Sequence, residues 1–409
     1  MADNPLVAVL ATLDSKHDAI RYVCDALRGA GATPWLIDLS LRPHDHTFAE
    51  VGGGEVARAA GVEWQSLAKL SRADAAQSMI AGGIKLVQAK QQTGDISGVL
   101  GFGGANGSTM ACAIMRSLPL AFPKVMVTPV AATAAVQWYV AESDIAMFPT
   151  IGDIWLNRVT RAAIVNAAQA VAGMARSHGV VAPNERALVG VSSFGNLQPA
   201  VDRITEQLEG RGFEVIHFHA SGPGGRALES LAGRGELAGV IDLTTSELTD
   251  FLTGGVYSAG ETRLTGAGRA GIPQVVVPGC LDFTNWWVSE VPERYRAREF
   301  FQYNVEILLM RTNAEEFAAL GKLMGERLAA AKGPVSVLLP QNGWSALAGR
   351  NAHDLSGKIT GAWARPEIDR VFVDTLRVNF PGAIKELPHH INDRAFADAC
   401  VAELHRLLA

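Results

Sequence analysis

Short, unbroken apolar runs alternate along the chain with longer segments whose apolar residues recur three and four positions apart. Leu6 to Ala11 is the first run, too continuous for a half-exposed strand and so read as one buried on both faces. Thr12-Leu13-Asp14-Ser15-Lys16 then turns into a helix carrying Ile20, Val23, Cys24 and Leu27 at helical spacing. Gly29 and Gly31 stop it, and Pro34 to Leu39 supplies the next strand. A strand, helix and strand within about 35 residues form a βαβ unit, and its short helical crossover implies parallel strands.

Past the loop from Arg42 to Gly54, a helix over about Asp74 to Gln91 leads to the apolar run Ile96 to Leu100. Gly101-Phe102-Gly103-Gly104-Ala105-Asn106-Gly107-Ser108-Thr109 follows, with a helix expected from Met110. Lys124 to Val130 reads as another buried strand, and Asp153 opens a long Ala-rich helix through Ala175. Ser177-His178-Gly179 and Pro183-Asn184-Glu185 break the pattern, which places a boundary near residue 180 between domains 1–180 and 186–409.

Beyond the boundary the pattern restarts: strand Leu188 to Ser193, helix Pro199 to Leu208, glycines 210 and 212, strand Phe213 to His219. At a constant offset Gly29 and Gly31 fall on Gly210 and Gly212, and Thr12 falls on Ser193. With small gaps, Ile96 to Leu100 resembles Leu237 to Ile241, and Pro123 to Val127 resembles Pro273 to Val277. Three matches in one order mark an internal repeat. The expected fold is therefore α/β, two related Rossmann-like domains with mainly parallel sheets.

Composition narrows the function classes. Hydrophobic residues at 48% and charged residues at 19% fit well-buried sheets, and the net charge of -5 without a basic run excludes an electrostatic nucleic-acid platform. The amino terminus carries no signal-peptide pattern, and no apolar stretch reaches membrane-spanning length. Cys24, Cys112, Cys280 and Cys400 stand far apart, without redox or metal spacing. Together these read as a cytoplasmic protein with no membrane or nucleic-acid partner.

The chemistry gathers at the carboxyl ends of the strands, where open parallel sheets bind ligands. A strand, a glycine turn and a helix start present free amides and a positive dipole end to an anion, which favours phosphate at Gly101, Gly103, Gly104, Asn106, Gly107, Ser108 and Thr109. The competing reading is a tight turn that needs glycine only for packing. Thr12, Asp14, Lys16 and Asp38 belong to the same edge. The second domain offers another glycine-rich nest, Ser221-Gly222-Pro223-Gly224-Gly225-Arg226, and a run of hydroxyls, Thr244-Thr245-Ser246-Glu247, that partly reads as helix capping. Cys280 is either a nucleophile or a buried thiol, and His390 either a general base or a structural residue at a helix entrance.

These motifs, with Asp153 to Arg158, Gly254 to Gly260, Pro278 to Asp282 and His390-Ile391-Asn392-Asp393, resemble the family of the ATP-binding amino-terminal domain of the tomato mosaic virus resistance protein and its bacterial relatives. The resemblance spans nearly the whole chain, departing at Ser108 and Pro223. It implies two Rossmann-like subdomains, a homodimer, and ATP with Mg2+, but no reaction. On that basis the amides of Gly103, Gly104, Asn106 and Gly107 are expected to hold ATP, assisted by the Ser108 and Thr109 hydroxyls, with Lys16 offsetting phosphate charge and Asp14 holding Mg2+ or its waters. The glycine loop lacks the Gly-Lys-Ser/Thr ending of a Walker motif. Two alternatives stand beside this reading. One is an enzyme acting on a small carboxylate or sugar acid at an interdomain cleft, bound by Ser221, Gly222, Gly224, Gly225, Arg226, Thr244, Thr245, Ser246 and Glu247, with His390 as acid–base group. The other is a protein-interaction module using the Ala-rich helix or Trp286-Trp287.

Overall fold

The computed structural model describes residues 4–177 and 186–409. The chain separates into two compact units, Met1–Pro183 and Asn184–Ala409; the expected boundary at residue 180 lies outside the described residues.

In unit one, β1 (Leu6–Ala11), β2 (Thr33–Asp38), β3 (Gly98–Phe102), β4 (Lys124–Thr128) and β5 (Ala146–Pro149) form one sheet in the order β2-β1-β3-β4-β5. Every neighbouring pair is parallel. The continuous apolar run of β1 is explained by layers on both faces. Val7, Val9 and Ala11 point to one core, shared with Ile20 and Val23 of the helix Leu13–Gly29 and with Ile164, Ala168 and Val171 of the helix Arg158–Ser177. Ala8 and Leu10 point to the other, shared with Met79 of the helix Arg72–Gln92 and with Met110 and Ile114 of the helix Ala105–Arg116. The Ala-rich helix thus packs on its own sheet.

The helix after the glycines starts at Ala105, five residues before the expected Met110, so Gly107, Ser108 and Thr109 lie in its first turns. Gly101 is not in the loop: it sits inside β3, where a Cβ would fall on Met126, Ala111 and Met115.

Unit two begins with β6 (Leu188–Ser193), β7 (Glu214–His219), β8 (Gly239–Thr244) and β9 (Gln274–Gly279). Next come β10 (Phe283–Trp287), β11 (Phe300–Gln302), β12 (Ile307–Arg311), β13 (Val335–Pro340), β14 (Asn351–His353), β15 (Ile359–Ala362) and β16 (Ala383–Leu387). Its main sheet runs β16-β13-β9-β8-β6-β7, all parallel. Through β7-β6-β8-β9 this order repeats β2-β1-β3-β4 of unit one, strand for strand with the sequence repeat. A second sheet, β10-β12-β11-β14-β15, is antiparallel and was not anticipated. Trp286 is buried in it against Leu308 and Met310, while Trp287 is half-exposed. Among the described residues no helix is long and apolar enough to cross a membrane.

Candidate functional site

In a sheet ordered β2-β1-β3-β4-β5, successive connections leave β1 and β3 on opposite sides, opening a crevice at their carboxyl ends. Thr12, Asp14, Ser15 and Lys16 line it from the turn after β1, and Gly104 to Gly107 from the turn after β3, around a cavity of about 500 Å³. Asp153 and Ile154, after β5, and Arg72 complete the wall. A neighbouring cavity of about 320 Å³ shares Asp14, Leu41 and Arg72.

Gly104 is the N-cap of the helix Ala105–Arg116 and has no side chain to cap it. Among the described residues nothing accepts from the amides of Gly104, Ala105, Asn106 or Gly107, which leaves them for an anion. The donor set therefore differs from the expected one. Gly103 N donates to Val127 O at 3.3 Å within the sheet, and Ala105 takes its place. Ser108 is fully buried, its Oγ 2.9 Å from Gly104 O and 2.7 Å from Thr128 Oγ1. Thr109 Oγ1 donates back to Ala105 O at 3.0 Å. The two hydroxyls fasten the start of the helix.

The Thr12–Lys16 turn is held from beneath by Asp38. Its Oδ1 accepts from Leu13 N at 3.1 Å and Ser40 N at 3.0 Å, its Oδ2 lies 2.8 Å from His44 Nε2, and Ser40 Oγ accepts from Asp14 N at 3.0 Å. Asp38 is 1% exposed, so it shapes the rim rather than lining the cavity. Asp14 is exposed at that rim. Lys16 has non-helical φ/ψ of −141° and 29°, which separates the turn from the helix behind it, and its Nζ lies 3.6 Å over the Trp155 ring.

In unit two the corresponding edge is closed. Glu247, fully buried, accepts from Gly222 N at 2.7 Å and Gly225 N at 3.1 Å, so the glycine-rich nest holds the chain's own carboxylate. Gly222 has φ +95°, and a Cβ at Gly225 would fall on that carboxylate. Glu247 Oε2 also accepts from Arg263 Nε at 2.6 Å. Arg263, buried as well, forks onto Asp242, with Nη2 2.6 Å from Oδ1, and reaches Glu229 at 3.2 Å. Burial opposes the Arg263 charge, but the carboxylates of Asp242, Glu247 and Glu229 together outweigh it and hold the guanidinium protonated, well above its ordinary value.

Thr244 N donates to Ser192 Oγ at 2.8 Å, Thr245 Oγ1 donates to Val277 O at 3.0 Å, and Ser246 is fully buried. Ser221 Oγ lies 3.5 Å from His219 O, a Cβ at Gly224 would strike the His219 backbone, and Arg226 Nη1 reaches Ser258 O at 3.5 Å. His390 has both ring nitrogens engaged, Nδ1 by Asn392 N at 3.1 Å and Nε2 by Ser345 O at 3.0 Å. Burial pushes the Cys280 thiol well above its ordinary value, which fits a structural thiol. Arg72 and Arg263 escaped the sequence reading. For Arg263 the available signal was Asp242 and Glu247, two carboxylates in an apolar stretch that need a cation; for Arg72 it was a positive charge at a helix start.

Residues 5–179 match the N-terminal domain, and residues 186–408 the C-terminal domain, of the Uncharacterised protein family (UPF0261). A UPF0261 protein of Mesorhizobium japonicum is 37% identical over 97% of this chain and 98% of its own length, and one of Clostridium tetani is 34% identical over 99% of each. The ToMV resistance protein Tm-1(GCR237) of Solanum lycopersicum is 30% identical over 98% of this chain, which spans 55% of that protein. Among solved structures, UDP-N-acetylglucosamine 2-epimerase from Rickettsia bellii aligns over 66% of this chain and 78% of its own with a TM-score of 0.23 and 10% identity, too loosely to bear on function. The chain belongs to the UPF0261 family.

Proposed function

We propose that unit one binds a nucleotide, ATP with Mg2+, in the crevice between the ends of β1 and β3. The observation that carries this reading is the row of unengaged amides from Gly104 to Gly107 at a helix N-terminus, facing a cavity of about 500 Å³. The side chains around it suit the same ligand. Lys16 and Arg72 supply positive charge, and Asp14 with Asp153 supplies the carboxylate oxygens that Mg2+ takes beside phosphate and water. Magnesium bound there would neutralise phosphate charge; the chain's own groups bind and orient. A cytoplasmic location, from the four widely separated cysteines, and a homodimer, from the family resemblance, remain part of the reading. The small-carboxylate alternative loses support, since Thr244 to Glu247 are buried and the nest is filled from within.

Gly104→Asp tests the site cleanly. A Cβ at Gly104 meets nothing nearer than Ile154 Cδ1 at 4.0 Å, and Asp is a preferred N-cap, so the variant folds at least as well as the wild type. Its carboxylate takes the amides and repels phosphate. Calorimetric titration with ATP and Mg2+ is expected to show an affinity loss of about a hundredfold or more, from two or more charge-assisted hydrogen bonds. Equal affinity for both proteins would sink the assignment.

A further inference from the structure

Arg72 is the first residue of the 21-residue helix Arg72–Gln92, the end at which the helix dipole opposes a positive charge. The helix start does not need it, because Ser71 Oγ already caps that end by accepting from Asp74 N at 3.1 Å. Among the described residues no carboxylate pairs with its guanidinium. Instead the Asn106 amide, with its oxygen turned to the arginine, accepts from Nε at 2.6 Å and from Nη2 at 2.9 Å. Asn106 stands in the first turn of the helix whose amides face the cavity, so a neutral contact holds a charged fork beside them. Arg72 also borders both cavities, the larger at the amides and the smaller beyond.

We propose that Arg72 determines which phosphorylated ligands the site accepts, by taking the outer phosphate of a nucleoside di- or triphosphate while the helix amides hold an inner one. The proposal rests on the nucleotide reading above. A guanidinium matches two phosphate oxygens with parallel N–H bonds, and a phosphate is a stronger acceptor than the Asn106 amide, so the fork exchanges one for the other in place. Arg72 is exposed, so its removal leaves no buried group unpaired.

The test is calorimetric titration of the full chain with ATP, ADP and AMP in Mg2+, for wild type, Arg72→Gln, Arg72→Lys and Gly104→Asp, alongside thermal unfolding of each. Arg72→Gln is expected to lose about tenfold to a hundredfold in affinity for ATP and ADP, to change AMP binding by less than about threefold, and to keep its unfolding midpoint. Arg72→Lys recovers part of the loss, because charge returns without the fork. An unchanged ATP affinity in Arg72→Gln, or the same proportional loss for AMP, overturns the role of Arg72; if Gly104→Asp still abolishes binding in that series, the site itself stands. A wild type that binds none of the three, or a Gly104→Asp protein that binds as the wild type does, overturns the site and the role of Arg72 with it.

Discussion

At the carboxyl ends of β1 and β3, four amides face a cavity; at the corresponding ends of β6 and β8, Glu247 and Asp242, the latter held by the Ser192 hydroxyl, close on Arg263. The two sheets share a strand order and a sequence repeat, so topology alone does not make a binding site. The difference lies in who supplies the anion. Unit two feeds a carboxylate from its own chain into its glycine nest, and the buried guanidinium makes that arrangement stable. Unit one leaves the amides unengaged and places its cations, Lys16 and Arg72, at the rim.

The contrast breaks most severely at Arg263. Removing the cation leaves Asp242, Glu229 and Glu247 buried without a counter-charge, so Arg263→Met is expected to lose about 3–5 kcal/mol of stability. Denaturant unfolding followed by a probe in unit two measures it. A loss below about 1 kcal/mol would show that the cluster does not hold the closed edge together.

A smaller effect, from a buried carboxyl outside that cluster, appears with pH. Burial raises the Asp250 carboxyl to about 7, against the hydrogen bonds from the Asn285 side chain and backbone. Unfolded, an aspartate titrates near about 4, so between roughly pH 4 and 7 the folded state keeps a proton that the unfolded state has released. Stability from this group is therefore complete below about pH 4 and declines as pH rises towards 7, by on the order of a few kcal/mol. Asp250→Asn is expected to flatten that decline and to be the more stable protein at pH 8. The Asn285 Oδ1, buried with no partner, can turn to accept from the new amide. A decline that persists in the variant assigns it to another group.

The parallel sheets were legible because doubly buried strands leave unbroken apolar runs, as Leu6 to Ala11 does. The helix start at Ala105 was not, since Asn106, Gly107, Ser108 and Thr109 are poor helix formers and only the cap geometry reveals the turn. The antiparallel sheet was hidden for a different reason. Its strands include two of three residues, too short for alternation to show. At the site, sequence found the glycines and the turn after β1, because backbone conformation is written locally. It missed Arg72 and Arg263 and left Glu247 among the substrate contacts, since a lone charge gains meaning only from what the fold brings beside it.

Glu247 offers the finest test of the contrast, because the closed nest can be reopened. Glu247→Ala removes a CH2COO⁻ unit, which is acetate in size, from between the Gly222 and Gly225 amides and Arg263 Nε. The variant is less stable than the wild type, and the three donors it uncovers are those that an external carboxylate would satisfy. Acetate at about ten times its dissociation constant is expected to restore about 1.4 kcal/mol, a rise of a few degrees in the unfolding midpoint, while leaving the wild type unmoved. The same shift in both proteins would trace to bulk salt, and the nest would then owe nothing to the anion it holds. A shift confined to the variant would make unit two a binding site filled by its own chain, the counterpart of the one that unit one keeps open.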